Sequence, residues 1–277
     1  MPRYVFRIVN VFTVDADRFS GNPLCVFEDA RGLTTEQMQA LARQLNLSET
    51  TFVLPSETAT AHVRIFTPGF EMPFAGHPTL GTAFVVGGEA LTFEMQAGLV
   101  AVTRVGDALT LKTARAPSTR PVAASRAELA RMLSLPDDAV SDEPLWVDTG
   151  VEQLVIPIAN AALVRAAKPV PALIEKHGFS DTRQEAMAYL VAADAAEWTV
   201  RFFFTSNGAV IEDPATGSAC ANLGGYLLTS GKAPISATLR QGDAIFRPSR
   251  LGLRVDDAGG IFVTGSVIEL GRGAIEL

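Results

Sequence analysis

Gly76-His77-Pro78-Thr79-Leu80-Gly81-Thr82-Ala83 and Glu212-Asp213-Pro214-Ala215-Thr216-Gly217-Ser218-Ala219 are the two stretches on which the reading of this chain turns. Each is a loop running into a helix of small residues. Aligned without gaps, Pro, Gly and Ala coincide and Thr82 faces Ser218. About twelve residues upstream, Arg64-Ile65-Phe66-Thr67 is answered by Arg201-Phe202-Phe203-Phe204-Thr205. The offsets, 137 residues (201 − 64) and 136 residues (212 − 76), are each close to half of the 277-residue chain. A period that long is not a solenoid repeat. It reads as a tandem duplication, with the boundary near residues 116–125, where Pro117 and Pro121 stand. The expected domains are residues 1–118 and 119–277, with a C-terminal strand able to pair back to the first.

The order of elements supports the same division. In the first half, the Val- and Phe-rich start reads as a strand, Gly21-Asn22-Pro23 as a turn and residues 24–27 as a second strand. Thr34 and Gln37 form a capping-box pattern ahead of Met38, Leu41, Ala42 and Leu45 at helical spacing. Strands at residues 50–54 and 62–66 precede the small-residue helix, expected from Pro78. In the second half, Ser125 and Glu128 cap a helix carrying Leu129, Met132 and Leu133. Strands at 153–158, 186–191 and 198–205, with a short helix near 171–176, lead to the second small-residue helix, expected from Pro214.

Composition sets the outer limits. Hydrophobic residues make up 48% and charged residues 19%, enough apolar surface for a sizeable core. A net charge of −7 argues against a nucleic-acid binder and against docking on anionic membranes. No run is long and apolar enough for a membrane span, and Arg3, Arg7 and Asn10 interrupt any secretory core, so a cytoplasmic protein is expected. Cys25 and Cys220 are then free thiols. The four lysines, Lys112, Lys168, Lys176 and Lys232, sit in no Gly-rich loop and give no support to Schiff-base chemistry. His62, His77 and His177 are scattered, without metal-ligand spacing. There is no nucleotide-binding Gly-rich motif. Ser218 lacks the elbow of a serine hydrolase. No metal and no cofactor is expected.

In each loop a Pro falls where the first helical turn is expected, a position at which its missing N–H costs nothing, and small residues follow. The uncovered N–H groups of such a first turn would suit an anion such as a substrate carboxylate. One ionisable side chain precedes each Pro, His77 and Asp213. Helix capping is the alternative use of either, and their matched positions favour a functional one.

Taken together, several motifs resemble the PhzF-like phenazine-biosynthesis family. They are Gly21-Asn22-Pro23, Asn46-Leu47-Ser48-Glu49-Thr50, Phe66-Thr67-Pro68 with Glu71, both helix-start loops, Gln241-Gly242 and Arg247-Pro248-Ser249. They run in the family's order over nearly the whole chain. The resemblance implies an α+β, diaminopimelate epimerase-like fold: two similar domains, each a curved, mostly antiparallel sheet around a central helix, with the active site between them. It also implies a homodimer, no cofactor, a small carboxylic acid substrate, and isomerase activity of the kind acting on trans-2,3-dihydro-3-hydroxyanthranilate. Carried over to this chain, the resemblance implies Glu49 as the general acid/base, His77 and Asp213 holding the substrate's polar groups, and backbone N–H groups near Gly76, Gly217 and Ser218 binding its carboxylate, with Pro78 beside them. A partly desolvated carboxyl can take a proton at one carbon and return it at another. Neither cysteine sits in a racemase motif, which disfavours two-thiol racemisation. An epimerase or lyase using the same carboxylate, and a binding protein without turnover, remain as alternatives.

Overall fold

The computed structural model describes residues 1–195, 197–206 and 208–277. It divides into two compact units, residues 1–114 with 263–277, and residues 115–262.

The first unit runs β1 (Arg3–Val11), β2 (Asn22–Phe27), α1 (Thr35–Leu45), β3 (Glu49–Leu54), β4 (Ala61–Phe66), β5 (Glu71–Met72), α2 (Gly76–Val86), β6 (Ala90–Met95), β7 (Gly98–Val105) and β8 (Ala108–Lys112). β1 and β2 are antiparallel, β2 and β3 parallel, β3 and β4 antiparallel, and β4 and β6 parallel. β6, β7 and β8 follow as an antiparallel meander. The C-terminal strand, Ile261–Glu276, pairs antiparallel with β1, Arg3 opposite Glu276, and also with β8. Eight strands thereby close into a barrel. α2 lies within it, in contact with β1, β2, β3, β7 and β8, and nine of its eleven residues are buried. A helix of small and apolar residues on every side has no solvent face, and enclosure by a sheet is the arrangement that suits it. α1 is amphipathic instead. The Thr34–Gln37 capping box starts it and left-handed Asn46 ends it. Met38, Leu41 and Ala42 join Phe27, Phe52 and Phe66 in a second core on the outer face of the sheet.

The second unit repeats the plan with β9 (Ser118–Pro121), α3 (Arg126–Met132), β10 (Leu145–Asp148), β11 (Glu152–Pro157), α4 (Ala161–Ala166), α5 (Pro171–His177), β12 (Phe179–Ser180), β13 (Glu185–Ala192), β14 (Trp198–Ser206), β15 (Ala209–Asp213), α6 (Gly217–Thr229), β16 (Ile235–Gln241) and β17 (Ser249–Val255). β10–β11 is antiparallel, β11–β13 parallel, β13–β14 antiparallel and β14–β16 parallel, in the same order of pairings as β1–β2, β2–β3, β3–β4 and β4–β6. α6 is the counterpart of α2 and packs on β9, β10, β11 and β17. The architecture is α+β, two similar units, each a curved and mostly antiparallel sheet around a buried helix.

Two expectations about the central helices are corrected. α2 begins at Gly76, two residues before Pro78, and α6 begins at Gly217, three residues after Pro214. Pro214 lies in the loop ahead of the helix and takes no part in its first turn.

Close packing of α6 is testable. A Cβ on Gly225 would meet Pro117 Cβ at 2.7 Å, Val147 Cγ1 at 3.0 Å and Thr149 Cγ2 at 3.2 Å, all on stiff side chains. Alanine is ordinarily the better helix former by about 1 kcal/mol. Here overpacking outweighs it, and Gly225→Ala should lower the urea-unfolding free energy by roughly 1–3 kcal/mol.

Candidate active site

One ion pair in each unit fixes where the central helix begins. Arg64 donates Nε to Glu71 Oε1 at 2.7 Å and Nη2 to Glu71 Oε2 at 2.6 Å. Arg201 does the same to Glu212, at 3.0 and 2.6 Å. In strand register Glu71 is opposite Phe66, and Glu212 is opposite Phe203. Each helix then starts five residues beyond its glutamate (76 − 71 and 217 − 212). The true correspondence is therefore Glu71-Met72-Pro73-Phe74-Ala75-Gly76-His77-Pro78 with Glu212-Asp213-Pro214-Ala215-Thr216-Gly217-Ser218-Ala219, an offset of 141 (212 − 71). The β14–β15 hairpin carries longer strands: its matched pair, Phe203 and Glu212, is nine residues apart (212 − 203) where Phe66 and Glu71 are five (71 − 66), which displaced the ungapped alignment. His77 corresponds to Ser218, each the second residue of its helix, and Asp213 corresponds to Met72.

In the first unit the structure brings Glu49 and His77 together. Glu49 opens β3, beside the left-handed end of α1. Glu49 and Thr51 alternate onto the same face of the strand, and Thr51 Oγ1 reaches Thr82 Oγ1 of α2 at 2.8 Å. His77 is 4% exposed and the Glu49 side chain 16%, with Glu49 Oε2 3.2 Å from His77 Nδ1. On the other side of the ring, Nε2 lies 3.3 Å from the carbonyl oxygen of Pro23. A carbonyl only accepts, so Nε2 carries the hydrogen and, in the neutral ring, Nδ1 presents its lone pair to Glu49. Among the described residues, Glu49 Oε2 is buried without a hydrogen-bond partner. The Glu49 carboxyl and the Nδ1 edge of His77 thus face each other across 3.2 Å. The Gly21-Asn22-Pro23 motif supplies the carbonyl that orients the ring. Gly76 and Pro78 flank His77 in the first turn and are buried.

In the second unit Asp213 ends β15. Thr216 Oγ1 donates to Asp213 Oδ2 at 2.5 Å, so the N-cap hydroxyl is turned away from the helix it precedes. Gln241 clamps this loop, donating Nε2 to Asp213 O and Thr216 Oγ1, both at 2.9 Å, and accepting from Thr216 N at 3.2 Å. Gly242, at φ +78°, lets the chain pass where a Cβ would stand 2.6 Å from Pro214 O and 2.2 Å from Arg247 O. Neither Ala75 nor Thr216 caps its helix with a side chain, so the first-turn N–H groups at Gly76, Gly217 and Ser218 receive no side-chain acceptor from the cap position. Ser218 Oγ accepts from Gln153 Nε2 at 3.0 Å. Gln153 and Asn222, both buried, were not singled out from sequence. The signal available was an amide side chain in each of two otherwise apolar runs.

Both cysteines are free and buried. Burial pushes the Cys25 thiol up to about 12 and raises Cys220 further, so neither supplies a thiolate near neutral pH. Among the described residues, no group of three or more His, Cys, Asp or Glu comes together as a metal site.

Two like units, each a curved sheet around a buried helix, define the diaminopimelate epimerase-like class. The chain belongs to the phenazine biosynthesis-like (PhzC-PhzF) family, whose sequence pattern matches residues 9–267. It is 39% identical to an uncharacterized isomerase of Pasteurella multocida, over 98% of this chain and 94% of that one. It is 34% identical to the trans-2,3-dihydro-3-hydroxyanthranilate isomerase of Pseudomonas chlororaphis, over 93% and 94%. The crystal structure of a PhzF-family phenazine biosynthesis protein of Bacillus anthracis matches with a TM-score of 0.86 at 25% identity, covering 100% of both chains. The protein is an isomerase of this family.

Two predictions follow from the geometry. Arg201→Met leaves the Glu212 carboxylate, 8% exposed, without its partner, and should cost roughly 3–5 kcal/mol in chemical denaturation. Ellman's reagent should titrate no thiol in the native protein and two after denaturation.

Proposed function

We propose that this isomerase works without a cofactor and moves a proton on a small unsaturated or cyclic amino or hydroxy acid, with Glu49 as the group that carries it. The observation supporting this most directly is the unbonded Glu49 Oε2, buried 3.2 Å from a ring nitrogen whose tautomer Pro23 sets. A carboxylate so placed can take a proton from a substrate carbon as the electron pair moves into the conjugated system. The same carboxyl then delivers the proton to a second carbon, leaving a shifted double bond and an unchanged enzyme. His77 stabilises whichever form Glu49 holds, because its Nδ1 can face either an acid or, once protonated, a carboxylate.

Asp213, bonded through its carboxylate to Thr216, is an acceptor suited to a substrate amine or hydroxyl. The uncapped N–H groups at Gly76, Gly217 and Ser218 are donors suited to the substrate carboxylate, and Pro78 keeps the first turn of α2 rigid beside them. The buried, raised thiols of Cys25 and Cys220 argue against two-cysteine racemisation.

The experiment is an NMR time course of trans-2,3-dihydro-3-hydroxyanthranilate in deuterated buffer, wild type beside Glu49→Gln. Wild type should consume the acid, with a proton moved between carbons. Glu49→Gln should be slower by about 10²–10⁴-fold at an unchanged melting temperature. Full activity in the variant would remove Glu49 from the mechanism. Deuterium at a stereocentre with inversion would make the reaction an epimerisation. No change with either protein would exclude this acid and turn the search to other small carboxylic acids.

A further inference from the structure

A buried chain of amides runs through the second unit to Ser218, and its direction can be read bond by bond. The backbone N–H of Thr149 donates to Asn222 Oδ1 at 2.9 Å, with the Thr149 hydroxyl on the same oxygen at 2.7 Å. Asn222 Nδ2 donates to the backbone carbonyl of Val151 at 2.7 Å. A backbone N–H only donates and a carbonyl only accepts, so the two ends of Asn222 are assigned without choice. The remaining hydrogen of Asn222 Nδ2 goes to Gln153 Oε1 at 2.8 Å, which leaves Gln153 Nε2 as the donor to Ser218 Oγ at 3.0 Å. Thr149, Gln153 and Asn222 are 6%, 1% and 0% exposed. Reversing any member would set two donors or two acceptors face to face away from water.

We infer that Gln153 is a positioning residue: it holds the Ser218 hydroxyl as an acceptor on its buried side, so that the O–H hydrogen is presented outward as a donor to an anionic group of the substrate. The inference rests on the assignment of Ser218 to carboxylate binding made under Proposed function. A free hydroxyl rotates and can meet a carboxylate with its lone pairs. One already accepting from Gln153 meets it with its hydrogen, and the orientation is set before the substrate arrives. Ser218 corresponds to His77, so both helices carry at their second residue a polar group whose orientation is fixed from behind, by Pro23 O in one unit and by Gln153 in the other.

A ligand-free test uses Ser218→Cys. A thiol at 218 receiving the Gln153 hydrogen bond is stabilised as thiolate and should react readily with iodoacetamide at neutral pH, while Cys25 and Cys220 stay silent. Adding Gln153→Met should slow alkylation about tenfold, by moving the thiol's titration upward by about one pH unit. Gln153→Glu keeps the Asn222 bond and the shape; above the pH at which it ionises it cannot donate and sets a negative charge against the thiolate, and there it should slow alkylation at least as much. Equal rates with and without the Gln153 changes would overturn the inference. In the native background, Gln153→Met should raise KM for trans-2,3-dihydro-3-hydroxyanthranilate about tenfold with kcat within about twofold, and the penalty should vanish beside Ser218→Ala. A penalty that persists beside Ser218→Ala would mark Gln153 as structural only and overturn the inference. If wild type does not turn over this acid, the substrate proposed above falls, and the alkylation rates decide the role of Gln153 on their own.

Discussion

An arginine gripped at two points by a glutamate is the contact on which the rest of each unit depends. The strands that carry Glu71 and Glu212 are short, and β5 is only two residues long, too few for backbone pairing alone to hold its register. The guanidinium lies against an aromatic ring, Arg64 over Phe66 at 5.1 Å and Arg201 over Phe203 at 4.6 Å. Hydrogen bonding to Glu71 raises Arg64 above the ordinary arginine range. Arg201 Nη1 reaches further, to the carbonyl oxygens of Val164, Arg165 and Ala167 at the end of α4. Half-dry ion pairs add little net stability, because desolvation offsets attraction. What they supply is position. A slip of one residue at Glu71 or Glu212 would turn His77 or Ser218 to another side of its helix, since neighbouring helical residues point about 100° apart.

From that shared frame the units diverge in chemistry. The first presents a carboxyl and an imidazole face to face, the ring oriented by Pro23 O and the carboxyl oxygen left without a hydrogen bond. The second presents groups with no such freedom. Asp213 is committed as an acceptor by Thr216, and Ser218 is fixed by a row of amides traceable to the backbone. In the function proposed above, one half of the duplicated scaffold moves a proton and the other holds a molecule still.

Much of this was legible in the sequence, for physical reasons. Capping boxes at Thr34–Gln37 and Ser125–Glu128 mark helix starts because the bonds are local, and both were found where expected. The enclosed helices announced themselves by having no polar face. The duplication was visible in Arg64 and Arg201, but the alignment beyond them slipped. The length of a hairpin's paired strands is not encoded in the motif, and the Arg–Glu contact is what reveals that Glu212 answers Glu71. The coincidence of Pro78 with Pro214 was therefore false, and so was the pairing of His77 with Asp213. Glu49 came from family resemblance and not from any local pattern. Gln153 and Asn222 escaped notice because a lone amide among apolar residues shows nothing until its partners, about 70 residues away, are known.

The C-terminal strand gives the first barrel an unusual order of assembly. Residues 1–114 leave the ribosome with two raw sheet edges, on β1 and β8, facing each other across a missing stave. The piece that fits is residues 263–277, made only after the whole second unit has been synthesised. At roughly 5–20 residues per second, that interval lasts about 7–30 s. During it the nascent first unit offers unpaired backbone to any passing strand, the exposure most prone to mispairing. The second unit's seven-stranded run of pairings is drawn from residues 115–262 and has no such wait. Of the two units, the one synthesised first is the last to be finished.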